Sequence, residues 1–273
     1  MLKMLKYPRT PHIQGSRIQP GDEDLQQIPF SVVAGRKLVV EEKCDGANCA
    51  VSFDADGELL LQSRGHYLVG GPRETHYNLL KNWAAVHRTR LHAVLGSRYV
   101  MYGEWLYAKH AIYYDALPHY FLEFDVFDRE RGMFLDTRSR RALLAPLPVV
   151  PAPVLAERAF RTLDELKALV GPSAYIRPGH LERLHAWCAA NGNCGSPDDR
   201  CAETDPATTM EGLYIKIEKD GAVVDRMKFV RQSFLQQVAV SDTHWLNRPI
   251  IPNLLRYPVD AIYEPELPEE ART

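Results

Sequence analysis

Three Asp-Gly pairs, Asp45-Gly46, Asp56-Gly57 and Asp220-Gly221, each stand between runs of strand-like residues, and no other feature constrains the fold as much. Asp-Gly accepts the left-handed backbone of tight reversals, so a strand meeting it turns back on itself. RKLVVEEK before the first pair, NCAVSF before the second and ELLLQS after it, and LYIKIE and AVVDRMKFV around the third carry the matching strand patterns. RYVMYGEWLYA and HYFLEFDVFD add two more strand-like runs. These predict antiparallel sheet.

Helical spacing appears in three places. YNLLKNWAAVHRTRLHAVLG has apolar residues at helical intervals and stops at Gly96, which predicts one helix of about four or five turns. A short helical pattern in TRSRRALLAPL is ended by prolines. Residues 160–208 read as a helical insertion: RTLDELKALVG with Thr162 as N-cap, HLERLHAWCAANG, then a polar loop over NCGSPDDRCAETDPATT. The opening segment has Pro or Gly every few residues and predicts an ordered loop or edge with no long element. The expected organisation is one α+β domain over 1–235 and a proline-punctuated tail, 236–273, packed on it.

The formal net charge of −2 gives no global basic field, so nucleic acid would have to be met by local patches. One such candidate is the run Arg129, Arg131, Arg138, Arg140 and Arg141, placed to track a backbone or simply to form a solvated face. Five cysteines without a paired framework, and no apolar signal stretch after Met1, predict a reducing, cytoplasmic setting. LPVVPAPVLA is too short and too rich in proline to span a bilayer, so no membrane role is expected. Cys188, Cys194 and Cys201, near His185, fit no standard zinc spacing and read as reduced structural thiols.

The chemistry centres on Lys43, delivered by an apolar strand directly before an Asp-Gly turn. A lysine acts as a nucleophile only when neutral, so such a site is expected to lower its pKa through partial burial and nearby positive charge. A surface lysine in a hairpin is the plain alternative. Lys43, Asp45, Gly46 and Asn48 resemble the nucleotidyl-lysine motif of the covalent nucleotidyltransferases, which include DNA ligases, RNA ligases and mRNA capping enzymes. SRG at 63–65, YGEW at 102–105, FLEFDVFD at 121–128, EGLYIK at 211–216 and RMK at 226–228 resemble the later motifs, in order, over roughly residues 40–232.

The resemblance implies a role for each matched residue. Lys43 would carry AMP, and Arg64 would touch the ribose or the phosphate of the substrate end. Glu104 would accept from the ribose hydroxyls and Phe124 would stack on adenine. Glu211 would face a metal ion, with Asn48 orienting a water on it, and Arg226 and Lys228 would hold the nucleotide phosphates. Asp45, Gly46 and Lys216 belong to the nucleotide site, and Glu42 would read the adenine amino group. Arg9, His12 and Ser16 sit in a loop that either closes over ATP or is structural, the latter preferred.

Asn48 is similar to the RNA ligase 2 branch, whereas Asp45 resembles DNA ligases and other RNA ligases. Arg226 stands where lysine is usual, a fork in place of a point cation. About forty residues follow Arg231, too few for the OB-fold barrel of DNA ligases and capping enzymes. The resemblance implies the nucleotidyltransferase fold, twisted antiparallel sheets around an ATP cleft with flanking helices. It also implies an ATP-dependent RNA ligase using Mg2+ or Mn2+ on RNA ends, a nicked duplex or an RNA/DNA hybrid, with an end-healing kinase or phosphatase as partner. The alternatives are an ATP-dependent DNA ligase, a GTP-using capping-type enzyme and a non-catalytic nucleic-acid-binding module.

Overall fold

The computed structural model describes residues 4–18, 21–234 and 249–265. Their strands are β1 (Lys37–Lys43), β2 (Ala47–Phe53), β3 (Leu59–Ser63), β4 (Tyr99–Trp105), β5 (Phe121–Asp128), β6 (Met133–Leu135), β7 (Val150–Pro151), β8 (Val154–Ala159), β9 (Gly212–Lys219) and β10 (Ala222–Val230). They form one sheet in the order β3-β2-β4-β5-β6-β10-β9-β1-β8, with β7 beside β5. Every pairing is antiparallel except β5 with β7. With its helices this is the expected α+β architecture.

The second and third Asp-Gly pairs close hairpins. Asp220 (φ 53°) and Gly221 (φ 82°) join β9 to β10, the two left-handed residues that suit right-twisted strands. Between β2 and β3, Asp54 Oδ1 accepts the amides of Asp56 and Glu58. The first pair behaves differently. β1 and β2 are joined by Cys44, Asp45 and Gly46 yet do not pair, and six strand-to-strand steps separate them in the sheet. In a flat sheet those steps would span about 29 Å, whereas the link reaches at most about 15 Å. The sheet must therefore curl until β1 and β2 converge, and the cleft lies where they meet.

Each half of the curl has its own core. Val51, Phe53, Met101, Phe121 and Val126 pack with Leu80, Trp83, Leu91 and Leu95 behind the β2–β5 half. Leu38, Val40, Leu213, Ile215, Met227 and Phe229 pack with Ile13, Phe30 and Leu166 behind the β1–β9–β10 half. The single helix expected up to Gly96 is two, α1 (Asn78–Val86) and α2 (Arg88–Leu95). His87 leaves helical geometry (φ −94°, ψ 8°) and its buried ring packs edge-on against Trp83, so both helices turn their apolar residues into one core.

The expected helices at α3 (Thr137–Leu144), α4 (Leu163–Lys167) and α5 (His180–Ala190) are present, and Thr162 caps α4 through Glu165 N. The polar loop expected beyond them holds a further helix, α6 (Pro197–Ala202), whose cap is Ser196 Oγ accepting from Asp199 N, with Pro197 at its start. LPVVPAPVLA, which gave no strand reading, contributes β7 and β8. β8 lies at the sheet edge, where its neighbouring prolines remove no needed donor. Of the tail, 249–265 is described, and Ile251, Asn253 and Ile262 are buried against the domain. No helix among the described residues is long and apolar enough to cross a membrane.

Candidate active site

The convergence of β1 and β2 opens a cleft of about 880 Å³ with Lys43 at its floor. Backbone register determines which side chains can enter it. Glu41 stands opposite Tyr214, Lys43 opposite Gly212, and Tyr214 opposite Lys228, so Glu41, Lys43, Tyr214 and Lys228 share one face of the sheet. Lys43 Nζ donates to Glu211 Oε1 and Oε2 at 2.7 and 2.6 Å. Lys228 Nζ donates to Asp22 Oδ2 at 2.5 Å, from the opening segment. Asp22 also accepts from Arg9 and lies 3.4 Å from His12 Nε2, while His12 Nδ1 meets Ser16 Oγ at 2.7 Å. Arg9, His12 and Ser16 are thus tied into a structural loop along β10.

The other wall comes from β2, β3 and β4. Asn48 and Glu104 are register partners, and both line the cleft with Arg64, which is exposed at its rim. Glu104 Oε1 accepts the Gly46 amide at 3.1 Å. A Cβ on Gly46 would lie 2.7 Å from the Trp105 carbonyl and 2.7 Å from Leu106 Cδ2, so only glycine lets the turn pack against the end of β4. At the far end Phe124, Leu122, Ala152, Tyr7 and Tyr214 form an aromatic and aliphatic recess. Tyr7 and Phe124 meet edge to face at 5.1 Å.

Electrostatics depart from expectation at the central amine. Burial works to lower the Lys43 pKa, but Glu211, Glu104 and Asp45 outweigh it, and the net shift is upward. Burial pushes Glu104 up to about 8 and raises Glu211 despite its ion pair. Lys228 moves down, first through burial and then through the charge of Lys43. Carboxyl groups thus surround Lys43 and favour its charged form, and the neutral amine needs their influence relieved.

The RNA ligase family model matches residues 36–230, a span that covers Lys43, Glu104, Glu211 and Lys228. The chain belongs to the RNA ligase family. None of the curated proteins is a significant match. The fold is similar to that of Naegleria gruberi RNA ligase variants: one solved with ATP and Mn (17% identity, TM-score 0.52, 85% of this chain and 58% of that one), a second with ATP and Mn (17%, 0.50, 85% and 62%) and one with AMP and Mn (16%, 0.50, 86% and 64%). The chain spans about three fifths of the length of those structures.

In this RNA ligase family member, four residues expected at the nucleotide have partners within the protein, and of these Glu42 and Asp45 line the cleft whereas Lys216 and Arg226 do not. Lys216 is fully buried, with its Nζ on Glu41 Oε2 (2.8 Å), Asp125 Oδ1 (3.1 Å) and the Phe124 carbonyl (2.5 Å). Arg226 does share a face with Lys228, as alternation predicts, but its guanidinium lies 3.8 Å over the Phe134 ring and does not border the cleft. Glu42 points to the opposite face of β1, where its carboxylate accepts from Ser173 Oγ at 2.5 Å and burial raises its pKa to about 7. Asp45 Oδ2 accepts the amides of Ala111 and Ile112 at 2.8 and 2.9 Å, anchoring the turn to the loop after β4.

The arginine run beside α3 is no uniform basic face. Arg140 is wholly buried and donates to Glu41 at 2.6 Å, with Glu123 at 3.5 Å, because three inward carboxylates (Glu41, Glu123 and Asp125) require cationic partners. Arg129 donates to the carbonyls of Phe53 and Ser97. All five cysteines are free; Cys188 and Cys194 pack with Leu184, Tyr113 and Ile251. Among the described residues no group of three His, Cys, Asp or Glu side chains is gathered to hold a metal. Tyr7, which lines the cleft, and Asp22, Ser173 and Tyr114, which hold Lys228, Glu42 and the Asp45 amide, were not legible as site residues, for each comes from a segment with no motif of its own.

Proposed function

We propose that this protein is an ATP-dependent RNA ligase that works through a lysyl-AMP on Lys43. The observation that supports this most is the placement of that amine: a half-buried lysine at the floor of the cleft, bounded by Glu211, Glu104 and Lys228, inside the span matched by the RNA ligase family. Deprotonated Lys43 Nζ attacks the α-phosphorus of ATP, and the P–N bond forms as the bond to pyrophosphate breaks. A 5′-phosphate oxygen of RNA then displaces Nζ from that phosphorus, leaving AMP on the RNA end. The 3′-hydroxyl finally attacks the activated 5′-phosphorus, loses its proton and expels AMP.

Positioning and charge neutralisation carry steps of this kind. The recess around Phe124 suits a purine face, and Lys228 is the cation of the late motif that borders the cleft. Glu104 suits ribose hydroxyls and Arg64 at the rim suits the incoming end. A hard divalent cation fits the donors, because Glu211, Glu104 and Asn48 all offer oxygen to the cleft. Glu211, and Asn48 through water, would hold Mg2+ or Mn2+. When bound, the ion neutralises charge developing on the phosphates. The similar Naegleria structures solved with ATP or AMP and Mn support this choice.

The wider reading is RNA repair in the cytoplasm, at tRNA breaks, nicked duplexes or RNA/DNA hybrids, after an end-healing kinase or phosphatase has prepared the ends. One domain over 1–235, with a helical insertion at about 160–208, carries the chemistry, and the tail packs on it. Incubating the protein with Mg2+ and ATP or GTP labelled at the α-phosphate tests the core of this. A covalent band with ATP is expected; none with either nucleotide would sink the proposal. Faster sealing of a nick with a DNA 3′-hydroxyl than of one with an RNA 3′-hydroxyl would favour a DNA ligase instead.

A further inference from the structure

The turn that carries Lys43 is held from a distant part of the chain. The amide of Asp45 donates to the Tyr114 hydroxyl at 2.8 Å, and Tyr114 is fully buried. Tyr114 N donates to Asn253 Oδ1 at 2.9 Å, and Asn253 is likewise fully buried. The remaining groups of Asn253 reach the same wall: Nδ2 donates to the Leu106 carbonyl (2.7 Å), the main-chain amide to the Tyr107 carbonyl (2.8 Å), and its carbonyl accepts from Tyr120 Oη (2.8 Å). Leu106 is one of the three residues, with Trp105 and Glu104, against which Gly46 packs. Asn253 thus fixes two supports of the turn, the hydroxyl that receives the Asp45 amide and the strand end beneath Gly46, beside those given by Glu104 and by the Ala111 and Ile112 amides.

We infer that Asn253 is a positioning residue for the nucleophile, acting through the Tyr114 hydroxyl and the Leu106 carbonyl to hold the Cys44–Gly46 turn, and so to aim Lys43 into the cleft. This rests on the reading of Lys43 as the residue that takes AMP. Asn253 lies outside the residues matched by the family model, 36–230, whereas Tyr114 and Leu106 lie inside them. A carboxylate would not serve at this place, since the side chain must accept from Tyr114 N and donate to the Leu106 carbonyl. Transfer to phosphorus is sensitive to aim, and a displacement of about 1 Å from a remote change can cost about 100-fold in rate.

The test uses the full chain with two substitutions. Tyr114→Phe removes one hydroxyl and keeps the ring in its core; Asn253→Ala removes the amide. Both are read by hydrogen exchange of the Lys43–Ala47 backbone and by single-turnover formation of lysyl-AMP at varied ATP. Tyr114→Phe is expected to speed exchange of the Asp45 amide about tenfold or more, leave α1 and α2 protected, and slow adenylylation about tenfold with the KM for ATP within about twofold. Asn253→Ala should do the same; if it fails to fold, Tyr114→Phe still decides. Unchanged exchange together with a rate within twofold of wild type would overturn the inference. A wild-type chain that takes no label would instead refute the role of Lys43, and the exchange comparison would still judge the clamp.

Discussion

Lys43 and Glu211 meet end to end, the amine donating to both carboxylate oxygens at 2.7 and 2.6 Å across 168 residues of sequence. Glu211 stands just before β9 and Lys43 ends β1, so the pairing of those two strands brings them together. The ion pair holds the amine at the floor of the cleft in its charged form. Releasing it requires another cation to take up Glu211 or the loss of that carboxylate's charge.

Lys43→Ala should abolish the covalent nucleotide. Lys43→Arg should do so equally, since it keeps the ion pair with Glu211 but presents a guanidinium that stays protonated. A labelled band surviving denaturation in either variant would show that another residue takes AMP.

Lys228 and Arg226 are expected to separate. Lys228→Ala removes a cleft cation and should slow adenylylation by roughly 100-fold or more. Arg226→Ala removes a guanidinium stacked on Phe134, and should lower stability while affecting the rate much less. Equal losses of rate in the two would mean that Arg226 swings into the cleft when nucleotide binds.

Arg140 is wholly buried between Glu41 and Glu123. Arg140→Met leaves those carboxylates without their partner and should cost about 3–5 kcal/mol, read from urea denaturation. A loss below about 1 kcal/mol would mean that water or Lys216 takes over its place.

Gly46→Ala forces a methyl to within 2.7 Å of the Trp105 carbonyl, a backbone atom with little freedom to yield. A cost of roughly 1–3 kcal/mol and a sharp fall in lysyl-AMP formation are expected. Gly192→Ala, where a Cβ meets nothing within 4 Å, is the control in the same thermal and labelling assays.

Glu42 links stability to pH. Its folded pKa of about 7 lies above the 4.5 of a free glutamate, so the folded state binds the proton more tightly. That contribution is fully present below about pH 4.5 and is lost as pH rises through about 7. Glu42→Gln should therefore gain stability over wild type on going from pH 5 to pH 8, on the order of 1–3 kcal/mol. A difference that stays flat over that range would place the Glu42 titration elsewhere.

Much was legible wherever the cause is local. The Asp220-Gly221 hairpin, the Thr162 cap and the strand patterns follow from backbone preferences that act within a few residues. So do the order of the motifs and the choice of Lys43 as the central amine, because a lysine before Asp-Gly at a strand end is visible as a string. Alternation correctly put Arg226 and Lys228 on one face, but could not tell which of them would meet an aromatic ring and which an open cleft.

What tertiary structure alone decided is where charges find their partners. Lys216 and Arg140 are ordinary surface residues by type, and only the inward placement of Glu41 on β1 and of Glu123 and Asp125 on β5 turns them into buried counter-ions. The three-residue link between β1 and β2 is written in the sequence, but the curl it imposes depends on how many strands lie between them in the sheet. Asn253 and Tyr114 carry no motif; their bearing on Lys43 exists only once segments far apart in sequence share one wall. Local propensity determines elements, whereas the burial of a polar group is settled by whatever the folded chain places within hydrogen-bond reach.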